Sequence, residues 1–261
     1  MHHIMLDQFA AGKTAVHRLD PAGKTVATLA VILGTVLVGR DHFLPLVPLA
    51  AALAAYHAAG RTPLPYTLKR LLVISPFALA VVVLFPILEP GRPVWTFGLG
   101  PWTVNVTEEG LVRAGHLAAK FLLSAWATLL LLATTRFQDV LQGLARLRVP
   151  RAFVVQLAFL YRYLWILMDE VMRMRQARAA RDGGLGPWRV RFQSGVGVLG
   201  VLFLRTYDRA ERIYWAMAAR GFDGRLHAPI QSRMQGKDWL FVAGAVALGC
   251  AAVGLDRALY G

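Results

Sequence analysis

Apolar residues in this chain are gathered into blocks rather than spread evenly, and this arrangement limits the folds that the chain can adopt. The main blocks cover residues 26–38, 43–59, 71–88, 111–135 and 239–253. A helix that crosses a bilayer needs about 20 mainly apolar residues. A shorter run can be extended by flanking cations that reach toward the interface, as we expect of Lys24 and Arg40 for the first block. The sequence predicts an all-α, polytopic membrane protein with about five transmembrane helices.

The low share of charged residues supports this class. Charged residues make up 17% of the chain, compared with roughly 25% in soluble domains. The positive charge is concentrated in residues 136–238, here called the basic region. It carries 18 Lys and Arg against 8 Asp and Glu, which is +10 of the total of +14. An excess of Lys and Arg is typical of cytoplasmic segments of membrane proteins and also favours anionic lipid headgroups. No RNA- or DNA-binding motif accompanies it, so we expect no nucleic-acid partner.

The predicted division has three parts. Residues 1–135 form an N-terminal membrane bundle of four helices, the basic region 136–238 is cytoplasmic and consists mainly of long amphipathic helices, and residues 239–261 form a C-terminal transmembrane helix. Five spans place the N terminus in the cytoplasm and the C terminus outside. Residues 60–70 are predicted to be a short basic loop, and residues 89–110 an external loop or small extended hairpin.

The basic region itself is predicted to contain several helices. Residues 137–147 form a short amphipathic helix. Residues 151–181 form a long helix at or just under the membrane, because their apolar half is too short to span it. The apolar, glycine-rich run 190–204 fits either a short span or a helix that packs closely against a neighbour. Residues 205–220 are predicted to form a further amphipathic helix.

Two segments of the basic region end in the same way, with Ala-Ala-Arg at residues 179–181 and again at 218–220. Glycine just past the last helical residue closes a helix, because glycine accepts the left-handed backbone of that position. A cation in the last turn also complements the negative end of the helix dipole. Ordinary capping explains either segment alone. The two together predict that Arg181 and Arg220, 39 residues apart, each present a guanidinium at a helix end to one of two equivalent partners.

Motifs of catalysis are missing from the sequence. It contains no glycine-rich phosphate loop with Lys-Ser/Thr, no His-Glu-x-x-His zinc site and no Gly-x-Ser-x-Gly turn. The carboxylates of Asp169 and Glu170 are explained by ion pairing with Arg173 on the same helix. His2 and His3 could bind copper or nickel with a free amino terminus, but two early histidines can also be accidental. We therefore expect no catalytic, cofactor-binding or metal-binding residues in this chain.

The sequence resembles the transmembrane T component of energy-coupling factor transporters, specifically the CbiQ type from cobalt uptake systems. The similar segments are residues 17–21 with Lys24 near the start, the motif at 180–182, the motif at 219–221 and the run 217–222 around it. The first motif departs from the family pattern because Asp182 stands where the family often has Gly or Ser. Asp182 could weaken the positive field of Arg181, although two glycines follow it and can still end the helix.

The resemblance implies a non-catalytic subunit that connects two cytosolic P-loop ATPases, similar to CbiO, to a substrate-binding membrane subunit similar to CbiM, with or without a small CbiN-like protein. In that family each motif arginine ends a coupling helix and docks in a groove of one ATPase. The resemblance assigns this coupling role to the following residues of the chain: Arg181, Arg220, Arg178, Ala180, Ala219 and Gly221. ATP and Mg²⁺ would be used by the partners. It further implies a multi-pass protein of the cell (inner) membrane that serves cobalt uptake, although nickel systems look alike.

Two other functions are alternatives to the coupling role. The first is a membrane-bound lipid-modifying transferase that holds a phosphate headgroup on its basic face, which would need clustered aspartates as metal ligands. Asp182 and Asp223, each beside glycines, are its candidates. The second is a stand-alone metal permease that uses His2 and His3, but the apolar runs supply it with no further ligands.

Overall fold

The computed structural model describes residues 12, 14–39, 42–99, 102–182, 187–224 and 234–260. Within these ranges the elements are α1 (Pro21–Leu37), α2 (Leu46–Gly60), α3 (Leu64–Leu88), β1 (Pro93–Leu99), β2 (Trp102–Thr107), α4 (Glu108–Thr134), α5 (Phe137–Arg146), α6 (Arg151–Asp182), α7 (Trp188–Ala219) and α8 (Gly236–Tyr260). The predicted helical class is confirmed. The predicted extended hairpin is also found, because β1 and β2 pair in antiparallel fashion between α3 and α4.

The described elements belong to two compact units. Helices α1 to α5, the β-hairpin and α8 form the first, here called the membrane bundle, and α6 with α7 forms the second, here called the α6–α7 hairpin. The second unit begins at Arg148, and α5 belongs to the first. The reason is that α5 packs against α1, where a Cβ on Gly143 would lie 3.0 Å from the Cα of Ala22.

Several helices are suited to a bilayer. Of the described helices, α4, α6 and α8 are long and apolar enough to cross a membrane, and α3 qualifies when its two bent halves count as one span. Helices α1 and α2 are apolar but shorter. The chain is therefore a multi-pass membrane protein. The apolar part of α6 is longer than the sequence analysis predicts, since the helix runs unbroken through an apolar window of 18 residues. Its placement along the membrane surface stays a prediction.

Small residues bring α1 and α8 into close contact. A Cβ on Gly34 would lie 2.7 Å from the Cα of Gly249, and a Cβ on Gly249 would lie 3.2 Å from the carbonyl oxygen of Ala30. Such residues let helix backbones approach closely in membrane proteins, where van der Waals packing drives association. The buried core around this contact includes Ala27, Val31, Leu49, Leu53, Ala127, Leu130, Ala245 and Ala252.

The start of α1 has regular N-capping chemistry. Asp20 is the N-cap, its side chain accepts a hydrogen bond from the N–H of Ala22, and Pro21 opens the helix. Lys24, which was expected to reach toward an interface, is 2% exposed. Its Nζ donates to the carbonyl oxygen of Thr134 at 3.0 Å. The last carbonyls of a helix lack partners within that helix and attract cations, so Lys24 ties the start of α1 to the end of α4.

Helix α3 begins earlier than the apolar pattern predicts. It starts at Leu64 rather than at residue 71, so most of the predicted basic loop 60–70 is helical. Leucine, lysine and arginine are good helix formers, and the guanidinium of Arg70 stacks 4.4 Å above the ring of Tyr66 one turn earlier. Pro76 consequently lies inside the helix, where α3 bends by 47°. Proline causes such bends because it removes a backbone hydrogen bond and clashes with the preceding turn.

The α6–α7 hairpin contains one helix fewer than predicted. The runs 190–204 and 205–220 form the single helix α7, of 32 residues. Isolated glycines cost a helix only about 1 kcal/mol each, and the same helical pattern continues on both sides of residues 195–200. Helix α7 is not among the described helices that are both long and apolar enough to cross a membrane.

Candidate functional site

Helix α7 ends at Ala219, Arg220 is its C-cap residue and Gly221 follows directly, within one residue of the predicted end. Gly221 has φ +72°, in the left-handed region that favours glycine. The N–H of Phe222 donates to the carbonyl of Met217, and the N–H of Gly221 donates to that of Ala218. These two bonds form a Schellman motif, which satisfies carbonyls at the end of a helix. Nothing lies within 4 Å of a Cβ built on Gly221, so glycine serves the backbone conformation here rather than close packing.

Helix α6 carries the first motif in its last turn. The helix ends at Asp182, and both Ala180 and Arg181 are exposed. The predicted position of Arg181 in a last helical turn is confirmed. The glycines at 183 and 184, which were predicted to end this helix, lie outside the described residues.

The two helices of the hairpin run antiparallel. Three contacts establish this: Arg178 with Arg191, Glu170 with Arg205, and Phe159 with Phe222. The end of α6 lies beside the beginning of α7, and the earlier part of α6 lies beside the end of α7. Arg181 therefore lies near the beginning of α7, whereas Arg220 lies at its end. At 1.5 Å per residue, about 30 helical residues separate them by on the order of 45 Å.

Both motif guanidiniums are available to a partner. Arg181 and Arg220 are exposed, and no hydrogen bond or ion pair within the described ranges engages either guanidinium. Arg178 is different, since its Nη2 donates to the carbonyl oxygen of Arg191 at 2.5 Å. The structure thus gives Arg178 a contact that joins α6 to α7. Its predicted docking role has weaker structural support than those of the other two arginines.

An ion pair between α6 and α7, which the sequence analysis missed, lies near the middle of the hairpin. Glu170 accepts from Arg173 at 2.8 Å, as predicted, and also from Arg205 of α7 at 2.5 Å. Asp169 was expected to take part in this pairing, but the ion pairs run through Glu170. Arg205 lies 35 residues from Glu170, and no local pattern indicates such a partner. This exposed pair adds one contact between α6 and α7 near the middle of the hairpin and contributes little to stability.

No group of three or more His, Cys, Asp or Glu residues within the described part of the chain is arranged to hold a metal ion. His2 and His3 lie outside the described ranges. Asp182 and Asp223, the ligands required by the transferase alternative, lie at opposite ends of the antiparallel hairpin. That separation does not favour a joint metal site.

These features define a class of protein: a multi-pass, α-helical membrane protein with a long hairpin whose ends carry exposed arginines. Residues 12–230 match the family model of CbiQ, described as cobalt transport protein. The chain belongs to the CbiQ family and is a transmembrane component of a transporter.

The chain is also similar to several individual proteins over most of its length. It is 29% identical to the energy-coupling factor transporter transmembrane protein EcfT of Lacticaseibacillus paracasei, over 95% of this chain and 97% of the relative. It is 25% identical to an uncharacterized protein of Methanocaldococcus jannaschii, over 98% and 88%. It is 26% identical to the putative fused cobalt transport protein CbiMQ of Methanocorpusculum labreanum, over 87% of this chain and 39% of that longer relative.

Proposed function

We propose that this chain is the coupling scaffold of an ATP-driven importer of a transition metal, with cobalt as the substrate. In this proposal it transmits the conformational change of two cytosolic ATPase subunits to a separate substrate-binding membrane subunit. The chain itself is non-catalytic, and ATP with Mg²⁺ acts in the partners. The observation that carries the proposal is that two exposed arginines lie at opposite ends of one helical hairpin, on the order of 45 Å apart.

The chemistry of the two ends suits protein docking. A guanidinium presents five donors in a rigid fork that matches carboxylates and carbonyl oxygens at an interface. The neighbouring Ala180 and Ala219 are exposed and small, so a partner's groove can close around either end. A domain of about 200 residues has a radius of gyration near 16 Å. Such a domain is therefore about 40 Å across, and two sites on the order of 45 Å apart leave room for a separate partner at each end.

The substrate-binding partner is supported by similarity. The relative named as a fused cobalt transport protein CbiMQ joins a region like this chain to further sequence, and this chain covers 39% of it. Such a fusion supports a partner that stays beside this chain in the membrane. Cobalt is proposed from the family description and from that name, and the other relatives named above carry no metal in their names.

The proposed coupling requires both ends of the hairpin to lie on the cytoplasmic side of the membrane. The hydrocarbon core of a bilayer is about 30 Å thick, and the hairpin is longer than that. If the hairpin crossed the membrane, its two ends would lie on opposite sides and could not both meet cytosolic ATPases. We therefore propose that the hairpin lies along the cytoplasmic surface, as the excess of Lys and Arg in the basic region favours.

Cysteine labelling tests that orientation. Cys250 is replaced by serine, and single cysteines are placed at Ala180 or at Ala219, next to the motif arginines. Both are expected to react with a membrane-impermeant maleimide only in vesicles that expose the cytoplasmic face. Reaction of the two positions from opposite sides would show that the hairpin spans the membrane, and would overturn the coupling proposal.

Co-purification tests the partners. The tagged protein is extracted gently from native membranes and every chain that accompanies it is identified. We expect a P-loop ATPase and a metal-binding membrane protein, in an assembly that hydrolyses ATP. Recovery of the stable chain alone would contradict the proposal and would direct attention to the transferase alternative, with lipid substrates as the assay.

A further inference from the structure

A group of charged residues, buried except for one half-buried arginine, joins four helices of the membrane bundle at the beginning of α1. This group, here called the α1 cluster, consists of Asp20, Lys24, Arg146 and Asp238. Asp20, Lys24 and Asp238 are each 5% exposed or less. Asp20 and Lys24 belong to the start of α1, Arg146 is the last residue of α5, and Asp238 lies in the first turn of α8.

Each polar group of Asp20 has a defined partner. Its Oδ1 accepts from the N–H of Ala22 at 2.9 Å, its own N–H donates to Asp238 Oδ1 at 2.9 Å, and its Oδ2 accepts from Arg146. Lys24 reaches the end of α4 through Thr134, and Asp139 of α5, Asp20 and Asp238 are close enough to interact with its charge. The α1 cluster therefore fixes the ends of α4, α5 and α8 against α1.

Helix α5 is held in this place by shape as well as by charge. A Cβ on Gly143 would lie 3.0 Å from both the N and the Cα of Ala22, so α5 lies directly on the first turn of α1. One turn later, Arg146 forms its ion pair with Asp20. A backbone contact and an ion pair on the same side of α5 resist its rotation and its sliding.

Arg146 is the last residue of α5 and lies directly before the connection to α6. Only residues 147–150 connect α5 to α6. Pro150 has a fixed φ, and α6 begins directly after it. A displacement of α6 reaches the membrane bundle along this short connection through α5. A loosely held α5 would turn and absorb that displacement.

We propose that Arg146 is a positioning residue for energy coupling: its ion pair with Asp20 fixes α5 to α1, so that movement of α6 is passed to the membrane helices. This inference rests on the proposed coupling function. Buried ion pairs add little net stability compared with apolar packing, but they can specify one arrangement of helices. Arg146 thus acts on the linkage between ATP hydrolysis and transport rather than on assembly of the complex.

The test uses the purified complex with its ATPases in lipid vesicles, and compares ATP hydrolysis with ATP-driven uptake of radioactive Co²⁺ or Ni²⁺, whichever the wild-type complex imports. Arg146→Gln is expected to leave the complex assembled and hydrolysing ATP, while uptake per ATP falls by roughly tenfold, within the range typical of coupling between sites. Arg146→Lys, which keeps the charge, is expected to restore part of the uptake. Arg136→Gln removes an exposed arginine at the other end of α5 and is expected to behave as wild type.

A second variant covers the case in which Arg146→Gln does not fold because Asp20 is left charged and buried. Asp20→Asn with Arg146→Gln removes both charges, and asparagine remains a good N-cap. The double variant is expected to assemble and to hydrolyse ATP with the same loss of uptake. Wild-type uptake per ATP in an assembled double variant would overturn the inference. A wild-type complex that contains no ATPase would instead overturn the proposed function, so the two failures are distinguishable.

Discussion

Replacing Arg181 and Arg220 together by glutamate is expected to abolish association with the ATPase subunits while the protein still inserts into the membrane. Both side chains are exposed, and no hydrogen bond or ion pair in the described part of the chain depends on their guanidiniums. Loss of one hydrogen-bonded charge at an interface costs about 2–5 kcal/mol. The two sites lie far apart and share no partner within the hairpin, so their effects should add.

Co-purification of the ATPases with the tagged protein measures this effect. Each single variant is expected to weaken binding by at least roughly 30-fold, and the double variant to leave no detectable ATPase. Arg175→Glu with Arg212→Glu is the matched control, since it makes the same charge change at exposed positions of the same two helices. Equal losses in both pairs would show a general effect of charge. Full binding by the motif variant would show that the motifs do not dock.

Gly34→Leu is expected to disrupt the contact between α1 and α8 and to lower the stability of the membrane bundle. Even the first added atom would lie 2.7 Å from the Cα of Gly249, and the backbone of α8 cannot yield as a flexible side chain does. Overpacking of this kind typically costs about 1–3 kcal/mol. Thermal unfolding of the detergent-solubilised protein measures the change.

Gly254→Leu is the matched control for that experiment. It makes the same substitution on α8, at an exposed position where nothing lies within 4 Å of a new Cβ. We expect its unfolding temperature to stay close to that of the wild type. Equal unfolding temperatures for the Gly34 and Gly254 variants would contradict the close approach of the two helices.

Much of the local structure follows from short-range patterns. Asp20 and Pro21 predict the start of α1, and Gly221 predicts the end of α7, because capping depends on residues a few positions apart. The positions of Arg181 and Arg220 at helix ends were predictable for the same reason. Helix bounds were less predictable where polar helix formers adjoin an apolar run, as at the start of α3, because hydrophobicity marks what is buried or in lipid rather than what is helical.

Contacts between distant residues were not predictable in this way. Lys24 is expected at an interface from its position beside an apolar run, yet it is buried because α4 ends beside it and presents the carbonyl of Thr134. Arg146 meets Asp20 across 126 residues of sequence, and Arg205 meets Glu170 across 35. Their partners are set by helix packing, which no local periodicity records.

The sequence alone thus determined the class of protein, the positions of most helices and the two arginine motifs, since apolar blocks, caps and charge bias act over a few residues. Only the tertiary structure decided that α6 and α7 run antiparallel, which puts Arg181 and Arg220 at opposite ends of one hairpin. Only the tertiary structure decided that Gly34 faces Gly249 and that Asp20 pairs with Arg146. These arrangements depend on how whole helices pack, and packing is fixed by the combined shape and charge of surfaces that are distant in the chain.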